Sequence, residues 1–588
     1  MKVLFTALHF ANYRNFESVI RDLAARGHHV ALLADEEESF GGQALVERVA
    51  AEYPAVTWGW TPSPAEEPWF PVAQKLRFAL DYVRYLDPQY ADAKKLRLRN
   101  IERAPRVVRW MTSGIGGALV GHRAVAGALK AVERVLPRSR AITQLLEEQR
   151  PDVVLLTSLT FSRSLAMDQL KAARALGIPT AACIMSWDHL SSKALVHIAP
   201  DRTIVWNEVQ KHEASAMHGL ASDSIVVTGA QCYDQWFEKR PARSRGEFCQ
   251  AVGLDPAKPF VLYVCSAMSP VPNPVEPVFV KEWIEAVRAS SDPILRTAGV
   301  LVRPHPERVR EWSGVSLEGL DGVVIHGRTP IDSDAKADYF DSLYYSSAVV
   351  GLCTSAFLEA AIVGRPVLTL LLPAYRMHQD GMAHFRYLLN VEGGLLHTAP
   401  DVPAHLAQLA AAMKSDGSRD ERNRRFVTAF VRPQGLDTPS TPRFVDAVEA
   451  LAREGRHAPD AQLTRPSRPS RPSLLGGVVT RLAIAGTRGI GAWLLMDSFD
   501  EQRAAGERER EQQKRAVLDE RAARWEAERR ERDEKLRLKQ AQRDAKARLQ
   551  TRKERKQQWR RWRYALGTSG PVARLKGGLK VLLGARHQ

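Results

Sequence analysis

Along the chain, short apolar runs take turns with segments whose apolar residues recur every three or four positions, which predicts strands alternating with helices. Residues 2–8 form an apolar run suited to a buried parallel strand. Phe16, Val19, Ile20 and Leu23 follow at helical spacing, Gly27 stops that helix, and residues 30–33 are the next run. Such a strand–helix–strand unit implies an open, mostly parallel α/β sheet. Further buried strands are expected at 153–156, 180–184, 203–206 and 224–228, with a mainly helical insertion at about 70–148. A second series starts after 239–246, with runs at 260–265, 299–302, 322–325, 348–352 and 366–371. The expected architecture is therefore two Rossmann-like, doubly wound α/β domains, 1–238 and 239–455, facing a cleft. Open sheets of this kind bind ligands beyond the carboxyl ends of their strands.

The pattern changes near residue 455. Arg-Pro-Ser occurs three times in succession, at 465–467, 468–470 and 471–473. Proline at every third position suits neither helix nor strand, so 456–473 reads as an extended linker. Residues 474–588 read as a basic helical tail. Within it, Glu501 to Tyr564 has strong helix formers, no Pro and one Gly, as in a long solvated helix.

Composition narrows the class. With 588 residues, 45% hydrophobic and 26% charged, the chain is globular and long enough for several folded units. The apolar stretch 474–496 carries Arg481 and Arg488, and no run reaches the length of a membrane span. No signal-peptide pattern opens the chain, and five scattered cysteines show neither a CxxC nor a zinc-ligand spacing. A cytoplasmic protein without a structural metal is expected. The net charge of +17 lies wholly beyond residue 455, since residues 1–455 contain 51 basic and 51 acidic side chains. The basic balance therefore says nothing about what the main body binds, and nucleic acid is not the expected partner. The Trp- and Arg-rich end of the tail instead suits an anionic membrane surface, so attachment to the inner face of a membrane is one expectation.

Four segments combine chemistry-bearing side chains with a predicted strand end. Arg303-Pro-His305-Pro is a stiffened loop whose Arg and His suit the phosphates of a nucleotide. In Thr354-Ser355-Ala-Phe-Leu-Glu359 a helix begins with free N–H groups, which suits a pyrophosphate, and Glu359 lies one turn on, where it could accept from ribose hydroxyls. Residues 372–385 gather Arg376, His378, Gln379 and Asp380 behind the next strand. In the first half, Asp188 and His189 break an apolar pattern at a strand end, where one could serve as a general base. The loop 9–15 holds His9, Asn12 and Arg14 but no GxGxxG.

Together these features resemble the GT-B glycosyltransferases over residues 1–455. Arg-Gly-His-His-Val at 26–30, the Arg303–Pro306 loop, Thr354-Ser355-Ala, Glu359-Ala-Ala and Gly364-Arg-Pro are similar to segments of bacterial capsule and surface-polysaccharide transferases, polyglycerolphosphate transferases and UDP-N-acetylglucosamine 2-epimerases. The resemblance implies a nucleotide-activated donor on the second domain and a glycan or lipid-linked acceptor on the first, with no metal and no cofactor. Donor contacts carry over to Arg303, His305, Thr354, Ser355 and Glu359. His9 and Asp188 are the candidate bases, because Asn12 or Tyr13 stands where many plant-type members have a catalytic His. Asn12, Arg14, His189, Arg376, Gln379 and Asp380 remain cleft or acceptor candidates. The resemblance also admits a nucleotide-sugar 2-epimerase, or a non-catalytic scaffold working through its tail.

Overall fold

The computed structural model describes residues 1–456 apart from 39–40, 92, 115–120, 268–275, 313–314, 318, 328–332 and 415–420, together with 556, 557 and 560. The expected linker, from residue 457 on, and the charged tail apart from those three residues lie outside the described residues. Among those described, no helix is long and apolar enough to cross a membrane.

Two parallel sheets organise the chain. The first is built from β1 (Lys2–Ala7), β2 (His29–Ala34), β3 (Val56–Trp60), β4 (Val153–Leu156), β5 (Thr180–Cys183), β6 (Arg202–Val205) and β7 (Ile225–Val227), in the order β3-β2-β1-β4-β5-β6-β7. The second holds β8 (Phe260–Val264), β9 (Gly299–Arg303), β10 (Val323–Ile325), β11 (Ala348–Val350), β12 (Val367–Leu370) and β13 (His397–Ala399), in the order β10-β9-β8-β11-β12-β13. Helices cover both faces of a parallel sheet, so central strands read as unbroken apolar runs; every residue of β4 and β8 is buried. Strand order reverses between β1 and β4 and again between β8 and β11, which makes a crevice at each reversal. Two Rossmann-like lobes of this kind form the GT-B arrangement.

Among the described residues the expected helical insertion contains the α-helices Phe70–Arg84, Lys94–Arg103, Arg106–Met111, His122–Val135 and Arg140–Gln149. Tyr82, Val83, Val108 and Val125 give most of it a small core of its own. A buried charge cluster ties it to the first lobe. Arg77 reaches Asp168 through two hydrogen bonds of 2.9 and 2.8 Å and Glu133 at 3.0 Å, while Lys171 donates to the Glu133 and Leu136 carbonyls at 2.9 Å. Buried ions persist only when paired and hydrogen-bonded, and here each is.

One boundary differs from the sequence reading. Ser440–Arg453, expected in the second domain, returns to the first lobe, where Phe444, Val445, Val448 and Leu451 join the core around Phe16, Val19 and Leu23. Its polar side pairs with the first helix, Glu17–Ala25, and the turn after it: Arg26 meets Asp446 at 2.7 Å and His28 meets Glu449 at 2.9 Å. The chain thus crosses between lobes twice, and Asp234 fastens the crossings together. Its carboxylate accepts from Arg432 at 2.7 Å, from the Ser440 and Thr441 amides at 3.0 and 2.7 Å, and from the Thr441 hydroxyl at 2.7 Å. Gly229 (φ +95°) packs so closely here that a Cβ would lie 2.1 Å from Ser440 Oγ.

Candidate functional site

Both crevices are closed by a serine. In the first lobe Ser158, just past β4, accepts from the Leu8 amide past β1 at 2.7 Å. In the second, Ser266 past β8 accepts from the Cys353 amide past β11 at 3.0 Å, and is itself held by Glu276, which accepts from the Ser266 amide at 2.7 Å. Gly351 makes that approach feasible, since a Cβ there would sit 2.7 Å from the Val264 carbonyl.

Of the expected donor residues, Thr354 and Ser355 do stand at a helix start, Ala356–Ile362, but Ser355 is exposed and makes no side-chain cap. Thr354 instead accepts from the Ala356 amide at 3.3 Å. Arg303 is buried and differently employed. Its guanidinium donates to Asp338 at 2.9 Å and lies 5.2 Å from the centre of the Tyr339 ring, with Gly327 pressed against it. Asp338 also receives Arg243 and His326, at 2.8 and 3.1 Å. Burial opposes its charge, but these three partners outweigh that and hold its carboxyl well below the usual range. Arg303 is therefore a buried structural ion, not the open phosphate ligand that the sequence suggests. Tyr339 completes a relay by donating its hydroxyl to Glu359. Burial pushes the Glu359 carboxyl up to about 7, against the pull of Tyr339, Arg14 and Lys239. His305 is partly buried, accepts from the Glu307 amide at 3.3 Å, and is lowered by that burial.

In the first lobe the loop after β1 is a 3-10 helix, Phe10–Asn15, and Asn12 is spent on it, accepting from the His9 amide at 3.2 Å. Burial lowers the His9 pKa, against the pull of Glu38 and Glu36, and so favours the neutral imidazole. Arg14 is exposed, and its charge acts on His9 in its own loop and on Glu359 across the cleft. Asp188 accepts from Ser186 at 2.6 Å and Ser192 at 3.0 Å and pairs with Lys193 at 3.7 Å. Burial opposes its ionisation, yet His189, Lys193, His384 and Ser186 together hold it far below the ordinary carboxylate range. So firm an anion is a poor proton acceptor. His189 does not face the cleft as a polar group; it is buried edge-on to Phe161, 5.1 Å between ring centres, and burial lowers it to about 4.

Three further candidates fall elsewhere. Gln379 is buried and donates to the Leu352 and Leu370 carbonyls at 3.0 and 2.8 Å, stitching β11 to β12 instead of meeting a ligand. Arg376 pairs with Asp380 at 3.2 Å on the surface, where such contacts contribute little.

Sequence reasoning missed the residues that join the lobes. Tyr387 of the second donates to Glu213 of the first at 2.6 Å, and Trp187 of the first packs edge-on against His384 of the second, 4.9 Å between centres. Burial pushes Glu213 up to about 7. Tyr339 and Tyr233, whose phenol groups both feel Glu359, were also missed. Each is a lone polar residue within a helix or turn, with nothing in its neighbours to mark it; only its partner on another element does so. Among the described residues no group of three or more His, Cys, Asp or Glu could hold a metal ion.

No protein-family model and no curated relative matches the sequence. Solved structures similar to it include a glycosyltransferase from Rickettsia africae (10% identity, 77% of this chain and 99% of that one, TM-score 0.45). Two UDP-GlcNAc 2-epimerases are also among them. That from Neisseria meningitidis, bound to UDP-GlcNAc, is 13% identical over 76% of this chain and 100% of that one, with a TM-score of 0.44. That from Methanocaldococcus jannaschii is 12% identical over 76% and 99%, with a TM-score of 0.43.

Proposed function

We propose that the protein is a nucleotide-sugar-dependent transferase, moving a glycosyl group or a polyol phosphate to a hydroxyl acceptor in glycan biosynthesis. The observation that supports this most is the reversal of strand order in each lobe, beyond which open parallel sheets take their ligands. The His9 loop follows β1 at the first reversal, and Glu359, a carboxyl group able to accept from a ribose, follows β11 at the second. In this reading the nucleotide lies against the second lobe, with Glu359 at the ribose hydroxyls and Thr354 and Ser355 beside the phosphates. The acceptor lies against the first lobe. His9 takes the acceptor proton as the acceptor oxygen bonds to the transferred group, while the bond from that group to the nucleotide phosphate breaks. Asp188 orients the acceptor as a permanent anion, and Arg14 offsets charge on the departing phosphate.

Titration calorimetry with UDP, GDP, CDP and CMP tests the donor half. At least one should bind, and Glu359→Ala should weaken it about tenfold or more, the scale of losing a hydrogen bond made by a charged group. Failure of all four to bind removes the proposal. Exchange of solvent deuterium into a bound sugar without any acceptor would instead make it an epimerase.

A further inference from the structure

The helical insert packs on the segment that follows Asp188, with Arg99 donating to the Ser192 carbonyl and Tyr85 to the Lys193 carbonyl, and its surface chemistry is unlike that of the rest of the body. Residues 94–140 contain twelve Lys or Arg and two Asp or Glu, within a body of 455 residues whose charges balance. One of those two acids, Glu133, is buried against Arg77 and Lys171, so it offsets nothing outside. Arg97, Arg103, Arg106, Arg123, Lys130 and Arg134 are exposed. Among them stand the three most exposed large hydrophobic side chains of the described residues: Trp110 at 70%, Leu98 at 56% and Val135 at 56%. A solvated helical face has no use for these, and the insert's own core is already filled by Val83, Val108 and Val125.

Cationic side chains interleaved with exposed Trp and aliphatic residues fit the headgroup region of an anionic bilayer. Basic groups there meet lipid phosphates, and Trp sits at the boundary with the acyl chains. A nucleic acid would use the Arg residues and could stack on Trp110, but it offers nothing to Leu98 or Val135. We propose that this insert is a docking surface for a bilayer rich in anionic lipid. Arg97, Arg123, Lys130 and Arg134 supply the charge, and Trp110 and Leu98 the apolar contact. The Arg77–Asp168–Glu133–Lys171 cluster fixes helix His122–Val135 to the first lobe, so a docked insert also fixes that lobe against the membrane. The proposal is independent of the reaction performed in the cleft.

The test uses the full chain, so that the tail is present throughout, and vesicles of phosphatidylcholine alone or mixed with phosphatidylglycerol. The wild-type chain should sediment with the mixed vesicles and not with the neutral ones. Arg97→Glu, Arg123→Glu, Lys130→Glu and Arg134→Glu combined should weaken that partition about tenfold or more, given the gain of ~1 kcal/mol per basic residue near such a surface. Trp110→Ser with Leu98→Ser should weaken it about tenfold at high salt, where the charge contribution is screened. Thermal melting controls for folding, and these exposed positions should leave it unchanged. Partition of both variants equal to wild type overturns the proposal and leaves binding to the tail. Absence of vesicle binding, with single-stranded RNA bound by the wild-type chain and lost in the charge variant, overturns it in favour of a nucleic-acid surface.

Discussion

Asp35, Glu213, Glu276 and Glu359 are shielded from water by different elements, and burial pushes each upward, Asp35 to about 6 and the three glutamates to about 7. A carboxyl group whose native pKa exceeds its ordinary value favours the fold fully below that ordinary value, and the contribution is lost as pH rises through the native one. Stability should therefore decline between roughly pH 4.5 and pH 7 through Glu213 alone. Glu213→Gln keeps an acceptor for the Tyr387 hydroxyl and removes the charge. It should raise the melting temperature at pH 8 by about 2 °C or more and leave it nearly unchanged at pH 5. A melting curve that shifts equally at both pH values would count against this. Asp188 behaves oppositely: held low by its partners, it adds stability above the ordinary aspartate range and loses it only in strong acid. At this scale the sequence was half legible. Glu359 could be found because it lies one turn from Ser355. Arg303 was found but misread, because Asp338 and Tyr339, which occupy it, are 35 and 36 residues further on.

At the scale of elements, the central strands and two of the four edge strands, β7 and β10, were readable, and the edge strands β3 and β13 were not. β3 exposes Thr57, Trp58 and Trp60, and β13 buries one residue of three, so neither leaves an apolar run. The crevice of the second lobe depends on a single element junction. Gly351→Ala would push a Cβ against the Val264 carbonyl, backbone against backbone, with neither side able to yield. It should cost about 1–3 kcal/mol, read as a lower urea midpoint, and should weaken nucleotide affinity by displacing the Cys353 amide from Ser266. The insert depends on its buried ions. Arg77→Ala leaves Asp168 and Glu133 without their main partner in a dry site, a loss of about 3–5 kcal/mol. Hydrogen exchange in His122–Val135 should rise first, since Glu133 is on that helix.

For the molecule as a whole, the sequence located two lobes but not the path between them. The return of Ser440–Arg453 is an ordinary amphipathic helix in one dimension, and only the packing of Phe444 against Phe16, 5.9 Å between ring centres, reveals where it belongs. Asp234→Ala would release four donors at the double crossing and leave Arg432 buried without its carboxylate. Limited proteolysis should then cut between 430 and 440 faster than in the wild-type chain, while both sheets keep their far-ultraviolet signature.

That return path also orders events during synthesis. The first lobe lacks one wall of its core until residue 451 has left the ribosome, by which time the whole second lobe is available to fold. Residues 1–238 expressed alone should bare the surface that Phe444, Val445, Val448 and Leu451 cover, and should aggregate. A fragment of about 239–437 starts and ends at the same pinned crossing and should fold unaided. In assembly, the half that begins the polypeptide is the half that finishes last.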